Sequence, residues 1–297
     1  MQIEEKKLLI EGRLVRVGRL DAEGYDYLDD PVKAVESLRL CGKRIDLFTF
    51  TEKLENTEQR HRFPVEIDNT AVLEISTFDE WMSTKIDFKT RNKVRKAAKL
   101  GVVVKEVELD DRMLLGISRI YNETPVRQGR KFPHYKKDIE SLRQMKLTFA
   151  ERSIFIGAFL EDELIGFIKM VHTEDKKQAG LMHILSMVRH RDKAPTNALV
   201  AQAVRSCAER CIPRLFYAKF SYGRKLQDSL ADFKRHNGFR KVDVPRYYVP
   251  LTRWGRIAYQ LGLHQNIAEI MPEAITSKYR KMRADWYAKK FAGVEPA

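Results

Sequence analysis

The stretch Asn122–Tyr135 (NETPVRQGRKFPHY) puts a carboxylate, several cations, an amide, a histidine and a phenol into one segment broken by proline and glycine. Arg127 and Arg130 carry the forked guanidinium that grips a carboxylate or phosphate through two parallel hydrogen bonds. His134 has a side chain that titrates near neutrality, and Glu123, Gln128 and Tyr135 complete a set suited to holding a polar acceptor. A merely polar surface loop is the plain alternative, but Pro, Gly, Arg and His at this density favour binding. A second constellation, His190, Arg191 and Lys193, precedes a helix expected over Thr196–Cys211. The main-chain N–H groups at a helix start attract anions, and these side chains would add to that field, which makes a phosphate site. A third is the run Lys85, Lys89, Lys93 and Lys96 in a helix expected over Thr77–Leu100. Residues three or four apart share a helix face, so these lysines form one stripe beside the apolar line through Ile86, Val94 and Ala97. Acids at matching spacing are nearly absent, so the stripe is either a solvated face or a surface for a polyanion such as nucleic acid.

No metal chemistry is expected. The three cysteines, Cys41, Cys207 and Cys211, have no histidine pair at ligand spacing and cannot make a disulfide framework. The chain has 297 residues, 43% of them hydrophobic and 32% charged, the balance of a globular protein with a sizeable core. Lysine and arginine number 55 against 41 acids, a net charge of +14, which points to a phosphate-rich partner: a nucleotide, an RNA or an anionic lipid surface. No apolar run approaches the roughly 20 residues that span a bilayer. The opening MQIEEKKLLIEGRL has charges where a secretion signal needs its apolar centre. The expectation is a cytoplasmic protein, with attachment to the inner face of the membrane left open.

The elements that must position these groups follow from hydrophobic periodicity and turn residues. Arg44–Phe50 and Ala71–Ile75 read as strands, followed by the long basic helix, which Gly101 stops. Then come a strand over Val102–Glu108, a helix capped by Asp110 or Asp111 and ending at Tyr121, the polar loop, and a helix over Lys137–Phe149. Ser153–Leu160 and Glu163–His172 form a hairpin across Glu161-Asp162, and Ala179–Val188 is a third strand. After the helix Thr196–Cys211 come a strand over Arg214–Phe220, a helix over Gln227–His236 and two short strands, Phe239–Val244 and Tyr247–Leu251. This order is a mixed α/β layout in which a helix crosses between parallel strands. It divides the chain into an N-terminal α/β subdomain (1–76), a main domain (77–251) and a basic, aromatic helical tail (252–297).

This order, with its ending LADFKRHNGFRKVDVPRYYVPL, resembles the GCN5-related N-acetyltransferase (GNAT) superfamily. The helix, Asn-Gly-Phe turn and strand at Phe233–Arg240 are similar to that family's last helix and turn. KTRNKVRKAAKLGVVV at Lys89–Val104, together with the Asn122–Tyr135 loop, resembles the FemAB-like branch, the aminoacyl and peptidyl transferases of peptidoglycan bridge formation. The resemblance covers about Thr77–Leu251.

It implies a GNAT-like fold and an acyltransferase that moves an aminoacyl or acyl group onto an amine. The acceptor loop would lie over the amine-bearing acceptor, a cell-wall precursor in the FemAB-like case. The strand Ala179–Val188 would border the reaction centre, with His183 and His134 as catalytic candidates; for His183 a satisfied core histidine is the alternative. Lys219 and Tyr222 fall where GNAT enzymes place a leaving-group acid. Arg189–Asn197 corresponds to the pyrophosphate loop, Q/R-x-x-G-x-G/A in that family, so Arg189, His190, Arg191, Lys193 and Asn197 become donor-binding candidates. The segment has no glycine, and glycine is what permits close backbone approach to phosphate. This favours aminoacyl-tRNA over acyl-coenzyme A as donor, with no tightly bound cofactor. An acetyl-coenzyme A-dependent N-acetyltransferase and a non-catalytic RNA- or membrane-binding module on a decayed transferase fold are the alternatives. The tail, from Arg253 and Trp254 to Trp286 and Tyr287, would pack on the first domain, touch tRNA or dock on an anionic membrane.

Overall fold

The computed structural model describes residues 1–55, 58–221, 229–265 and 273–291. The chain forms two compact units: one of residues 1–71, 218–225 and 241–271, the other of residues 72–217, 226–240 and 272–297. The tail is therefore not one segment. Its first helix, Arg253–Gln260, belongs to the first unit and its last helix, Glu273–Lys290, to the second. Lys241–Pro250, expected in the main domain, also lies in the first unit.

In the first unit, β1 (Gln2–Ile3), β2 (Lys6–Glu11) and β3 (Val17–Leu20) form an antiparallel meander. β3 pairs in parallel with β4 (Leu47–Thr51) after the helix α1 (Pro31–Leu40), whose N-terminus Asp30 caps by accepting from the N–H groups of Val32 and Lys33. The long strands β5 (Val65–Glu74) and, paired with β4, β13 (Arg240–Pro250) complete it. Its core joins Leu8, Leu20, Val35, Leu38, Phe48, Phe50 and Tyr247. Two short strands were expected over Phe239–Leu251, with Pro245 between them. They are one strand, because the ladder to β4 starts at Arg246 and never needs the N–H that proline lacks.

The second unit is a sheet between two helical layers. Its strand order is β12 (Arg214–Phe216), β11 (Ala179–Ser186), β10 (Glu163–His172), β9 (Ser153–Leu160), β6 (Val102–Val107). β9, β10 and β6 are antiparallel neighbours, and β11 runs antiparallel to β10 but parallel to β12. The β9–β10 turn at Glu161-Asp162 is as short as the sequence implied, with Glu161 in the left-handed region. On one face lies α6 (Pro195–Glu209), burying Leu199, Val200, Ala203, Val204 and Cys207, with α3 (Phe88–Lys99) packed outside it. On the other lie α4 (Asp111–Asn122), capped by Asp110 through the Met113 N–H, and α5 (Ile139–Leu147), capped by Asp138. Gly116 lets α4 approach β10, since a Cβ there would sit 2.7 Å from Leu164 Cδ2. α7 (Ser229–His236) leads into the Asn237-Gly238 turn, where Trp81 Nε1 donates to the Asn237 carbonyl at 3.0 Å. α8 is Arg253–Gln260 and α9 is Glu273–Lys290.

Two further expected elements are corrected: the strand over Arg214–Phe220 ends at Phe216, and the long basic helix is not continuous. The helix over Thr77–Leu100 is broken: α2 (Phe78–Glu80) runs into a π-helical turn, Trp81–Lys85, then Ile86 is extended and Asp87 caps a fresh helix, α3, by accepting from the Thr90 N–H at 2.6 Å. Arg91 holds the broken end, donating to the carbonyls of Met82, Ser83 and Ile86. Lys85 therefore leaves the lysine stripe. It is half-buried, donating to the Glu74 carbonyl at 3.0 Å and pairing with Glu80 at 3.3 Å. Lys89, Lys93 and Lys96 remain exposed on α3.

Candidate active site

β11 and β12 pair only at Ala179 with Leu215 and Gly180 with Phe216. Beyond Gly180, no described strand pairs the edge of β11 away from β10, so from Leu181 to Leu185 that edge has no strand partner, while the Ser186 carbonyl accepts from Arg127. A β-bulge sits at this point. Lys169 opposes His183 and Met170 opposes Leu181, which leaves Met182 unmatched and re-aims the strand beside the opening.

The direct opposition of Lys169 and His183 puts both side chains on the α4/α5 face of the sheet, the face that also carries Phe155 and Phe167. There they meet a cluster the sequence reading had not assembled. Lys146, on α5 and fully buried, donates to the Tyr121 hydroxyl at 2.9 Å and lies 4.7 Å from the Phe167 ring centre. Lys169, also fully buried, donates to the Lys146 carbonyl at 2.8 Å, to Thr148 Oγ1 at 2.9 Å and to the Thr148 carbonyl. Tyr121 stacks on His134 with ring centres 4.9 Å apart, and His134 lies edge-on to His183 at 6.4 Å. Among the described residues no partner meets His134 Nδ1, although that atom is buried.

Among the described residues no carboxylate pairs with either lysine. Burial pushes the Lys146 ammonium down to about 7, with the Lys169 and Lys137 charges adding to the effect, and burial brings Lys169 down to about 8. His183 is pushed down to about 3 by burial and then by Lys146, Lys169 and His134. His134 is lowered by burial, then by Lys137 and Lys146. Both imidazoles are neutral at pH 7, and the Tyr121 phenol is raised by burial. The arrangement is a desolvated, nitrogen-lined floor beside an open strand edge. A site of this kind disfavours a further cation and favours a neutral amine or a developing oxyanion.

The acceptor loop contains a tight hairpin, β7 (Val126–Arg127) and β8 (Arg130–Lys131), turning at Gln128-Gly129 with φ of 51° and 67°. Gln128 and Arg130 are exposed and Tyr135 is half-buried. Arg127 is not the exposed clamp expected. It donates to the Ser186 carbonyl at 2.9 Å, to the Ile120 carbonyl at 2.9 Å and to Glu123 at 3.1 Å. Glu123 in turn accepts from the N–H groups of Val188 at 2.7 Å and Arg189 at 2.9 Å. The pair is a strut that ties α4 to the end of β11. The partners that withdraw it from solvent lie on other elements, out of sight of loop composition.

The donor candidates divide in the same way. Arg189 and His190 both engage Glu163, His190 at 3.2 Å. Asn197 is buried, donating to Asn237 at 3.4 Å. Arg191 is exposed and Lys193 half-buried, on a 3-10 turn packed against α3. Lys193 pairs with Asp192 at 3.2 Å, and the Asp192 carboxyl is held low first by that bond and more weakly by Lys96. The α3 stripe and the entrance of α6 are thus neighbours, and Lys96, Arg191 and Lys193 form one cationic patch. Ala194 takes the left-handed conformation (φ 53°) that glycine would adopt without strain. Lys219 lies in the first unit, 3.1 Å from Asp68. Tyr222 lies outside the described residues.

Lys146, Lys169 and Tyr121 were missed. The available signal was Lys169 itself, one cation inside the apolar strand ELIGFIKMVH.

No family model and no curated protein matches the chain. Solved structures do. FemX superposes with a TM-score of 0.59 at 12% identity, covering 86% of each chain. The C-terminal domain of a protein assigned as a lysylphosphatidylglycerol synthetase in Agrobacterium fabrum gives 0.54 at 11% identity, covering 86% of this chain and 84% of that one. L-PGS from Bacillus licheniformis gives 0.53 at 12%, covering 82% and 80%. At such identities the likeness is one of fold: this chain has the fold that FemX displays.

Proposed function

We propose that the protein is an acyltransferase that moves an aminoacyl group from an aminoacyl-tRNA to an amine on a cell-wall or lipid-linked acceptor. The observation that carries this reading is the unpaired edge of β11 from Leu181 to Leu185, beside buried Lys146 and Lys169, which have no carboxylate partner among the described residues. In the reaction the amine nitrogen attacks the ester carbonyl. A C–N bond forms, the ester C–O bond breaks, the amine gives up a proton and the tRNA 3′-hydroxyl departs protonated. The amine must be neutral to attack, and the lysine-lined floor favours that state. The same positive field stabilises the oxyanion of the tetrahedral intermediate.

His134 is the proton acceptor in this reading. Its buried Nδ1 is unpaired and its imidazole is neutral, whereas His183, pushed down to about 3, is too weak a base and serves as an uncharged hydrogen-bonding group. Tyr121 and Lys146 position His134 through the 4.9 Å stack and the 2.9 Å hydrogen bond. The Lys96, Arg191 and Lys193 patch supports a polyanionic donor, and the glycine-free turn supports tRNA over coenzyme A.

The test is to incubate the protein with charged tRNA or with acetyl-coenzyme A, each with an amine-bearing cell-wall precursor or lipid, and to weigh the products. A gain of one aminoacyl residue is expected. A gain of an acetyl group would make the protein an acetyltransferase, and no transfer from either donor would favour a binding module.

A further inference from the structure

The last helix presents an apolar line to solvent. On α9, Ile275 is 51% exposed, Tyr279 63%, Met282 63% and Trp286 53%. At about 100° per residue these four fall within roughly 60° of one another, a single stripe along the helix. The helix packs from one flank of the stripe round to its far side, with Arg283 and Thr276 about 70–90° away and Ala284 opposite. Thr276 is buried, a Cβ on Gly129 would lie 2.8 Å from Ala284 Cβ, and Arg283 Nε donates to the Gly129 carbonyl at 3.3 Å. The stripe is thus left over after α9 has docked on the β7–β8 hairpin.

Its borders are cationic. Lys278 and Lys289 project on one side, Arg283 and Lys290 on the other; Lys290 sits 4.7 Å over the Trp286 ring and Arg283 5.7 Å over Tyr279. Two alternatives fit less well. The spacing of the stripe is also that of a coiled-coil seam, but the flanking positions Lys278, Arg283, Asp285 and Lys290 hold three cations to one acid, so two copies would bring like charges together. An RNA backbone would meet the cations and leave Ile275 and Met282 with no apolar surface to bury against. The exposed lysines of α3, with no such stripe, are the contrasting case.

We infer that α9 is an interfacial helix that lays Ile275, Tyr279, Met282 and Trp286 into an anionic lipid surface while Lys278, Lys289 and Lys290 meet the headgroups. The long cationic side chains reach outward past the apolar line, and Trp and Tyr are side chains that rest at the level of headgroups. No helix among the described residues is long and apolar enough to cross a membrane, so this contact is with one face. The surface does not depend on the reaction assigned above and is tested without it.

The experiment uses the whole protein with vesicles of phosphatidylcholine alone and of phosphatidylcholine with phosphatidylglycerol at roughly two to one. Flotation with the anionic vesicles only is expected, with a blue shift of tryptophan emission that disappears in Trp286→Phe. Lys278→Gln with Lys290→Gln should weaken partitioning about thirtyfold, since each cation near such a surface contributes about a factor of five. Ile275→Ser with Met282→Ser should abolish flotation and leave the melting temperature unchanged. Three outcomes overturn the proposal: no flotation, flotation undiminished in the serine variant, or a dimer in solution that the serine variant dissociates. Binding of RNA that the serine variant loses would likewise reassign the stripe.

Discussion

Two clusters of buried charge in this molecule are built differently. In the first unit, Arg246 reaches Glu23 through both guanidinium Nη atoms at 3.0–3.1 Å and Asp68 through Nε at 3.0 Å, while Lys219 lies 3.1 Å from Asp68. Burial alone would lower the Arg246 pKa, but Glu23 and Asp68 outweigh it and hold the guanidinium above its usual value. Asp68 is held below the usual carboxylate range by Arg246 and Lys219 in spite of its own burial. In the second unit Lys146 and Lys169 are buried against carbonyls, a phenol and rings, and both fall by several orders of acidity. Paired buried charge stays charged, and removing one partner of it is costly. Unpaired buried charge costs stability and titrates near neutrality, the property catalysis needs. The proposed function places its chemistry in the second cluster, and the first serves as the paired comparison.

The sharpest break would come from activity. His134→Ala should lower turnover by about 10²–10⁴-fold, the range for loss of a general base, with little change in melting temperature because His134 is only half-buried. His183→Ala should cost less in rate. Equal losses in both variants would remove the distinction between a base and an uncharged neighbour.

The next test sets the clusters against each other through stability. Arg246→Met leaves Glu23 and Asp68 buried without their shared cation and should cost about 3–5 kcal/mol in denaturant unfolding. Lys146→Met removes a desolvated ammonium and keeps the volume, so it should leave the protein as stable or more so near neutral pH while lowering activity. A strong loss of stability in Lys146→Met would make that lysine a structural donor to Tyr121.

How much of this was legible in the sequence depends on distance along the chain. The hairpin at Glu161-Asp162, the cap at Asp110 and the basic turn before α6 are local patterns, and the structure has them. The helix break was also local: Asp87 before Phe88 is a capping residue, but Trp81, Met82 and Ile86 carry a helical periodicity straight through it. The chemical cluster was not legible. Tyr121, Lys146, Lys169 and His183 come from two helices and two strands, and only the fold makes them neighbours. Arg127 shows the same limit in reverse, because its composition says surface and its partners Ser186 and Ile120 say strut.

A smaller effect follows from the lysines' titration. For Lys146 the unfolded chain has the ordinary value of 10.5 and the folded one about 7. Between these values the unfolded state binds more protons, so stability must rise with pH there. Below about 7 both states are protonated and the full desolvation cost is present; the cost fades as pH climbs through the window. Lys169, at about 8, acts in the same sense over a narrower range. The melting temperature of the parent, measured relative to Lys146→Met with Lys169→Met, should therefore increase from pH 7 to 10. A flat difference would show that the lysines are paired after all.

The smallest expected change concerns α3 and separates a polyanion surface from a solvated face. Lys89→Glu with Lys93→Glu should leave the melting temperature nearly unchanged, since both side chains are exposed and Lys93 acts on Asp87 only through its charge. If the stripe contacts tRNA, binding falls with salt by about one counterion per neutralised phosphate, and the reversal should flatten that slope by about two. Lys96→Glu should act more strongly than either alone. It stands beside Arg191 and Lys193 at the entrance of α6, where one added acid joins Asp192 against two cations and weakens the local field. An unchanged slope in the double variant, together with a changed one in Lys96→Glu, would shrink the polyanion contact to that entrance alone.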